Sequence, residues 1–167
     1  MATRTVLKYP DPRLREIAKP VEQVTDEIRA LVDDMAETMY ASKGCGLAAP
    51  QIGVSLRVFV VDCAGEDEPS DLRIFINPEI VESRGTQMWS EGCLSLPGVS
   101  EEIKRAERVR VRALDREGRP FELEADGLLA VAIQHELDHL NGVLMIDKLS
   151  AFKRRKMGQK LASTAGA

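Results

Sequence analysis

Gln134-His135-Glu136-Leu137-Asp138-His139 is the stretch whose reading decides the fold. Residues four apart lie one above the other on a helix, so both imidazoles can reach one metal ion. Glu136 then sits beside that ion without being a ligand, placed to take a proton from a metal-bound water. The chain has only two histidines, and both are in this stretch. The geometry requires a helix. Asp126 can cap one that begins at Asp126 or Gly127, and Asn141-Gly142 supplies a stop after Leu140. Two half-buried histidines bonded to carbonyls near a helix end are the bland alternative.

Outward from this helix the pattern changes. Ile28, Leu31, Val32, Met35 and Met39 recur at helical spacing after Thr25, a capping residue, and Ser42-Lys43-Gly44 ends the run. Residues 57–61 and 72–76 read as short strands, the second ending at Asn77-Pro78. Val109, Val111 and Ala113 alternate with arginines; Phe121 and Leu123 alternate with glutamates. These two runs predict an antiparallel hairpin turning through residues 115–118, with arginine facing glutamate on its wet side. A last helix is expected over residues 150–161, followed by a flexible tail over 162–167. No repeat or linker divides the chain. The expectation is one α+β domain over residues 1–167: short, largely antiparallel strands around the HExxH helix, with an N-terminal and a C-terminal helix.

Composition narrows the function classes. At 167 residues and 44% hydrophobic, the chain can bury one sizeable core, mostly aliphatic because only 4% is aromatic. No run approaches the roughly 20 apolar residues that cross a bilayer, so a soluble, cytoplasmic protein is expected. A net charge of −4 argues against a general nucleic-acid binder. The charge is uneven: from Phe152 onward there are five basic residues and no acidic one, leaving 18 basic against 27 acidic elsewhere. That tail could touch an anionic partner, or be a solvated helix end. Cysteines 45, 63 and 93 are an odd set, which favours reduced thiols over a disulfide scaffold.

Two nitrogens do not complete a catalytic metal site, which usually has three protein ligands. After His139 there is no Glu and no His, and Asp147 is the only carboxylate. The third ligand is therefore expected upstream, with a cysteine thiolate the obvious candidate. Cys63 has no supporting motif, Cys45 lies between two glycines, and Cys93 precedes the turn-bounded segment Leu94-Ser95-Leu96-Pro97. Position favours Cys93 without deciding it.

Three motifs in order carry a resemblance: Gly44-Cys45-Gly46-Leu47-Ala48-Ala49-Pro50-Gln51, Glu91-Gly92-Cys93-Leu94-Ser95 and the helix stretch itself. With residues 7–14 and the Pro78 region, the chain resembles the bacterial-type peptide deformylases over nearly its whole length. The resemblance implies a hydrolase that removes the formyl group from the N-terminal formylmethionine of nascent polypeptides and releases formate. It implies metal ligation by Cys93, His135 and His139, with Fe²⁺ the physiological ion and Zn²⁺ or Ni²⁺ found in preparations. It also implies that Gln51 and the backbone N–H of Leu94 stabilise the oxyanion while Glu136 serves as general base and then acid.

For the substrate, Gly44 and Gly46 allow close passage of an extended peptide. Leu128, Val131 and Cys45 are expected to wall the methionine side chain. Glu91 is expected at the substrate site, organising the loop around the metal or binding backbone, and Asp138 is expected to pair with Arg105. The basic C-terminal helix is similar to a ribosome-contacting extension of some relatives. Cys45 stands where a larger aliphatic is common, and Gly98-Val99-Ser100 lacks an arginine found nearby in some members; both departures bear on peptide recognition. A monomer is the default. The competing readings are a metallopeptidase and a catalytically inactive, deformylase-like binding protein.

Overall fold

The computed structural model describes residues 2–65 and 67–165, with side chains described as far as residue 161. Its elements follow the α+β expectation. Helix α1 spans Asp26–Ala41, capped by the Thr25 hydroxyl, which accepts from the Ile28 N–H. Strands β1 (Gly46–Ala48), β2 (Val58–Val61), β3 (Arg73–Arg84), β6 (Arg108–Leu114) and β7 (Pro120–Asp126) form an antiparallel sheet in the order β1-β2-β3-β6-β7. Strands β4 (Gln87–Cys93) and β5 (Leu96–Arg105) form a separate two-stranded sheet. Helix α2 spans Gly127–Leu140 and α3 spans Ala151–Ala165.

The packing explains why β2 is apolar at every position. Val58 and Val60 point to α1, with Val32, Met35 and Met39. Phe59 and Val61 point to the other face, with Ala130, Ile133 and Leu140 of α2. A strand covered on both sides reads as a continuous hydrophobic run. Helix α2 is buried along most of its length, including His135, Glu136 and His139. A third cluster joins Leu96, Val99 and Ile103 of β5 to Met157 and Leu161 of α3.

Two sequence expectations are corrected, and one strand pair had gone unpredicted. Asn77-Pro78 does not end the third strand. Asn77 adopts φ 52, and the register slips between Ile76↔Leu114 and Glu79↔Arg112, so a bulge absorbs the proline and β3 runs on to Arg84. The Asn77 side chain offsets the interrupted ladder by accepting from Val21 N–H at 2.7 Å and donating to Val21 C=O at 2.9 Å. The β4–β5 pair has no clear alternation in sequence, because β4 is buried only at Glu91. Finally, α3 continues four residues past Leu161 to Ala165, since Ala162-Ser163-Thr164-Ala165 contains no helix breaker. The remaining tail expectation, at 166–167, lies outside the described residues.

The predicted β6–β7 hairpin pairs as its alternation requires, with Arg112 facing Glu122 at 3.0 Å. Asp126 occupies the N-cap position of α2 but makes no side-chain cap bond.

Candidate metal centre

Helix α2 turns His135 and His139 toward one point, and their Nε2 atoms stand 3.3 Å apart. The β4–β5 turn brings Cys93 to the same point, with Sγ 3.4 Å from His139 Nε2. One donor atom from each of these residues lies within 4.8 Å of the others. Donors bonded to a single tetrahedral ion at about 2.0–2.3 Å stand roughly 3.3–3.6 Å apart. Two of the three separations match this spacing and the third lies within 4.8 Å, so the set is suited to one transition-metal ion. Asp147, the downstream carboxylate, instead accepts from Leu144 N–H and pairs with Arg15.

The ligands are held from behind. Glu91 Oε1 accepts from His135 Nδ1 at 2.9 Å, which leaves Nε2 to face the ion. Arg105 grips the same carboxylate through Nε and Nη2 at 2.7 and 2.8 Å, and reaches Asp138 with Nη1 at 2.6 Å. Glu91 and Arg105 are both nearly fully buried. Burial pushes the Glu91 pKa up, but hydrogen bonds from Arg105 and His135 outweigh it and hold the pKa below the ordinary value. Glu91 is thus a carboxylate committed to Arg105 and His135. Of the roles the sequence allowed it, organising the metal loop is the one these contacts match.

Arg105→Ala leaves two carboxylates without their shared cation, one of them deeply buried. A loss of about 3–5 kcal/mol in unfolding free energy is expected, as for other broken buried pairs. Urea unfolding of the metal-stripped protein checks it, and a loss under about 1 kcal/mol would count against the network.

Glu136 lies under β1. A Cβ built on Gly46 would fall 2.4 Å from Glu136 Oε2, so any larger residue at 46 would displace the carboxylate. This role for Gly46 is additional to peptide binding and is not readable from spacing. Glu136 Oε1 and His139 Nδ1 are buried with no protein partner. Such atoms call for a ligand, an ion or a water. Burial raises the Glu136 pKa from 4.5 to about 7. Burial, with the charge of His135 adding to it, lowers the His139 pKa and keeps that ring neutral, the form that ligates.

Gln51 is buried at the end of one helical turn, Ala49–Ile52. Its Oε1 accepts from Ala48 N–H at 2.9 Å, while Nε2 donates to Ser95 Oγ at 3.1 Å and, more loosely, to Cys93 Sγ at 3.6 Å. Leu94 packs its side chain where a Cβ on Gly44 would clash at 2.9 Å, and its carbonyl accepts from Lys8 Nζ at 2.8 Å.

A cavity of about 670 Å³ opens over this centre. Gly44, Cys45, Gly46, Gln51, Glu91, Cys93, Leu94, Leu128, Val131, His135 and Glu136 all line it, so the structure gathers every one of those sequence-nominated residues on one wall or another. His139 completes the metal set from beneath. Sequence reasoning missed Lys8, Trp89 and the lock made by Gln134, which accepts from Ala106 N–H at 2.9 Å and donates to Ala106 C=O at 3.0 Å. The position of Gln134 directly before His135 was the available signal.

A cysteine sulfur and two helical imidazoles, a carboxylate with a near-neutral pKa beside them and an open cleft above define a metal-dependent hydrolase. The comparisons narrow the class. Residues 3–155 match the family model described as polypeptide deformylase. A peptide deformylase of Alkalilimnicola ehrlichii is 57% identical over 161 residues, covering 96% of this chain and 90% of that protein. The crystal structure of a peptide deformylase from Legionella pneumophila superposes with a TM-score of 0.93 at 50% identity, covering 98% of this chain and 96% of its own. That of Ehrlichia chaffeensis in complex with actinonin gives 0.93 at 40% identity, covering 98% of each chain. The chain belongs to the polypeptide deformylase family and is of the bacterial type.

Proposed function

We propose that this chain removes the formyl group from the N-terminal formylmethionine of nascent polypeptides and releases formate. The observation that carries this reading is the meeting of Cys93, His135, His139 and Glu136 at the floor of one cleft. An ion held here would act as a Lewis acid on the formyl carbonyl and would lower the pKa of a water. Cys93, His135 and His139 hold it, and Fe²⁺ is the ion we assign, with Zn²⁺ and Ni²⁺ suited to the same donors. Glu136 accepts the proton of the attacking water at its carboxylate and delivers it to the departing methionine amine.

The amide of Gln51 and the backbone N–H of Leu94 aim dipoles at the oxygen where negative charge grows. The looser of the two Gln51 bonds, to Cys93, is the one that can turn toward that oxygen. Leu128 and Val131 present an apolar wall to the methionine side chain, with Cys45 opposite. Gly44 and Gly46 let the peptide backbone approach β1. No helix among the described residues is long and apolar enough to cross a membrane. We place the protein in the cytoplasm as a monomer. The cationic start of α3, with Lys153, Arg154, Arg155 and Lys156 exposed, is its ribosome-facing side.

The deciding experiment compares formate release from formyl-Met-Ala with cleavage of an unformylated internal peptide. Formate release alone supports the reading; cleavage of the internal peptide alone overturns it. Within the same assay, Gln51→Ala is expected to lower kcat about 10²–10³-fold with little change in KM, the effect of losing one oxyanion donor. An unchanged kcat removes Gln51 from that role. A thiolate-bound ferrous ion is also open to oxidation, so activity should decay faster in air than under argon. Equal decay argues for a redox-inert ion.

A further inference from the structure

The mechanism gives the thiol chemistry of Cys45 and Cys63 no task, although the Cys45 side chain walls the cleft. Cys45 and Cys63 come from opposite sides of the β1–β2 pairing. Gly46 stands opposite Val61, and Asp62 N–H donates to Cys45 C=O at 2.9 Å, so the two cysteines flank the end of that ladder. The register therefore sets Cys63 one residue beyond Asp62, the partner of Cys45, and each thiol perturbs the proton affinity of the other. Both are free cysteines, Cys45 exposed and Cys63 half-buried. Cys45 also lines the catalytic cleft, whereas Cys63 packs against the core cluster under α2. An accessible thiol with a second, sheltered thiol on the neighbouring chain segment is the arrangement in which one sulfur is attacked from solution and the other resolves the product.

We propose that Cys45 and Cys63 form a thiol-modification site that reacts with small soluble disulfides of the glutathione type and closes to an internal Cys45–Cys63 disulfide. The Cys45 thiol loses its proton, and its sulfur attacks the small disulfide, breaking that S–S bond and expelling one glutathione thiolate. Cys63 then loses its proton, and its sulfur attacks the Cys45 sulfur and expels the second glutathione. The protein gives up two electrons and two protons, and the small disulfide leaves as two thiols. Cys93 stays out of the exchange because it is held as a metal ligand.

The closure reaches the chemistry through the glycines on either side of Cys45. A methyl group at Gly44 would press on the Leu94 side chain, and one at Gly46 on the Glu136 carboxylate, so both glycines run close to those residues. Drawing Cys45 toward Cys63 therefore shifts the two groups that frame the reacting carbonyl. A displacement of about 1 Å at such groups costs roughly 10²-fold in rate. This last consequence rests on the proposed deformylase activity; the cross-link does not.

The test uses the metal-loaded full chain, treated with oxidised glutathione and read by intact mass, by non-reducing peptide mapping and by formate release. The expected wild-type product has lost two hydrogens, carries no glutathione and contains a linked Cys45–Cys63 peptide. Its kcat is expected to fall about 10- to 100-fold and to return with dithiothreitol, with metal content constant throughout. Cys63→Ser should keep its untreated activity, and after treatment should gain and retain one glutathione on Cys45. A wild-type protein that keeps a glutathione adduct, cross-links through Cys93 or stays reduced overturns the site. A Cys45–Cys63 bond that forms without slowing the enzyme overturns the coupling to Leu94 and Glu136. Should Cys63→Ser not fold, the wild-type peptide map decides by itself. Mass and map need no formylated substrate, so failure of the proposed activity is distinguishable from failure of this site.

Discussion

Glu136→Gln is expected to lower formate release from formyl-Met-Ala by about 10²–10⁴-fold, the range for losing a positioned acid-base group, while the protein keeps its full complement of metal. Glutamine fills the same space over Gly46 but cannot take a proton from water. The carboxylate is suited to that exchange because burial has raised its pKa from 4.5 to about 7. A group that gains and loses a proton near neutrality can do both within one turnover.

The same burial makes Glu136 a burden on the fold. A carboxylate whose folded pKa is raised favours the folded state in its protonated form. Its favourable contribution is intact below the unfolded value, declines as pH rises from there to about 7, and stays lost above that. Metal-stripped Glu136→Gln should therefore resist urea better than stripped wild type by about 3 kcal/mol near pH 8, with the gap closing near pH 4. Both outcomes are read on one pair of proteins. A variant that turns over normally with its metal in place removes Glu136 from catalysis. A stability gap that does not vary with pH removes the account of its burial.

Cys93→Ser is expected to have the other large effect, a chain that does not retain the ion through desalting and shows no activity at stoichiometric metal. Two imidazoles remain, and a serine hydroxyl near neutral pH does not replace a thiolate. Affinity should fall by more than the roughly 10–100-fold that follows loss of a group merely supporting a ligand. Metal per chain after gel filtration measures it. Because Cys93 lies at a turn and not in the centre of the sheet, the stripped variant should unfold within about 1 kcal/mol of stripped wild type. Full metal retention by Cys93→Ser would transfer the third ligand to another residue.

The sequence made the centre of the site legible because the chemistry there is local. A four-residue spacing fixes the two imidazoles on any helix, and the absence of a downstream Glu or His points upstream for the third ligand. The hairpin over β6 and β7 was legible for a similar reason, since alternation survives wherever one face is wet. What stayed hidden depends on contacts across the fold. The Arg105–Asp138 pair and a place for Glu91 at the metal loop were expected, but nothing local joins them into one network in which Glu91 bridges Arg105 and His135. The continuation of β3 past Asn77-Pro78 was hidden because local turn chemistry is real there, and only pairing with β6 carries the strand onward. Cys63 looked featureless because its significance comes from Cys45, which is distant in sequence and adjacent in space.

Strand β1 is three residues long and lies at the margin of its sheet, with β2 on one side only. A guest chain laid along that margin finds main-chain partners for a couple of residues and then runs out of template. Such a margin is suited to holding the first residues of a polypeptide and offers no strand partner to those that follow. One enzyme can in this way serve an entire proteome of newborn chains.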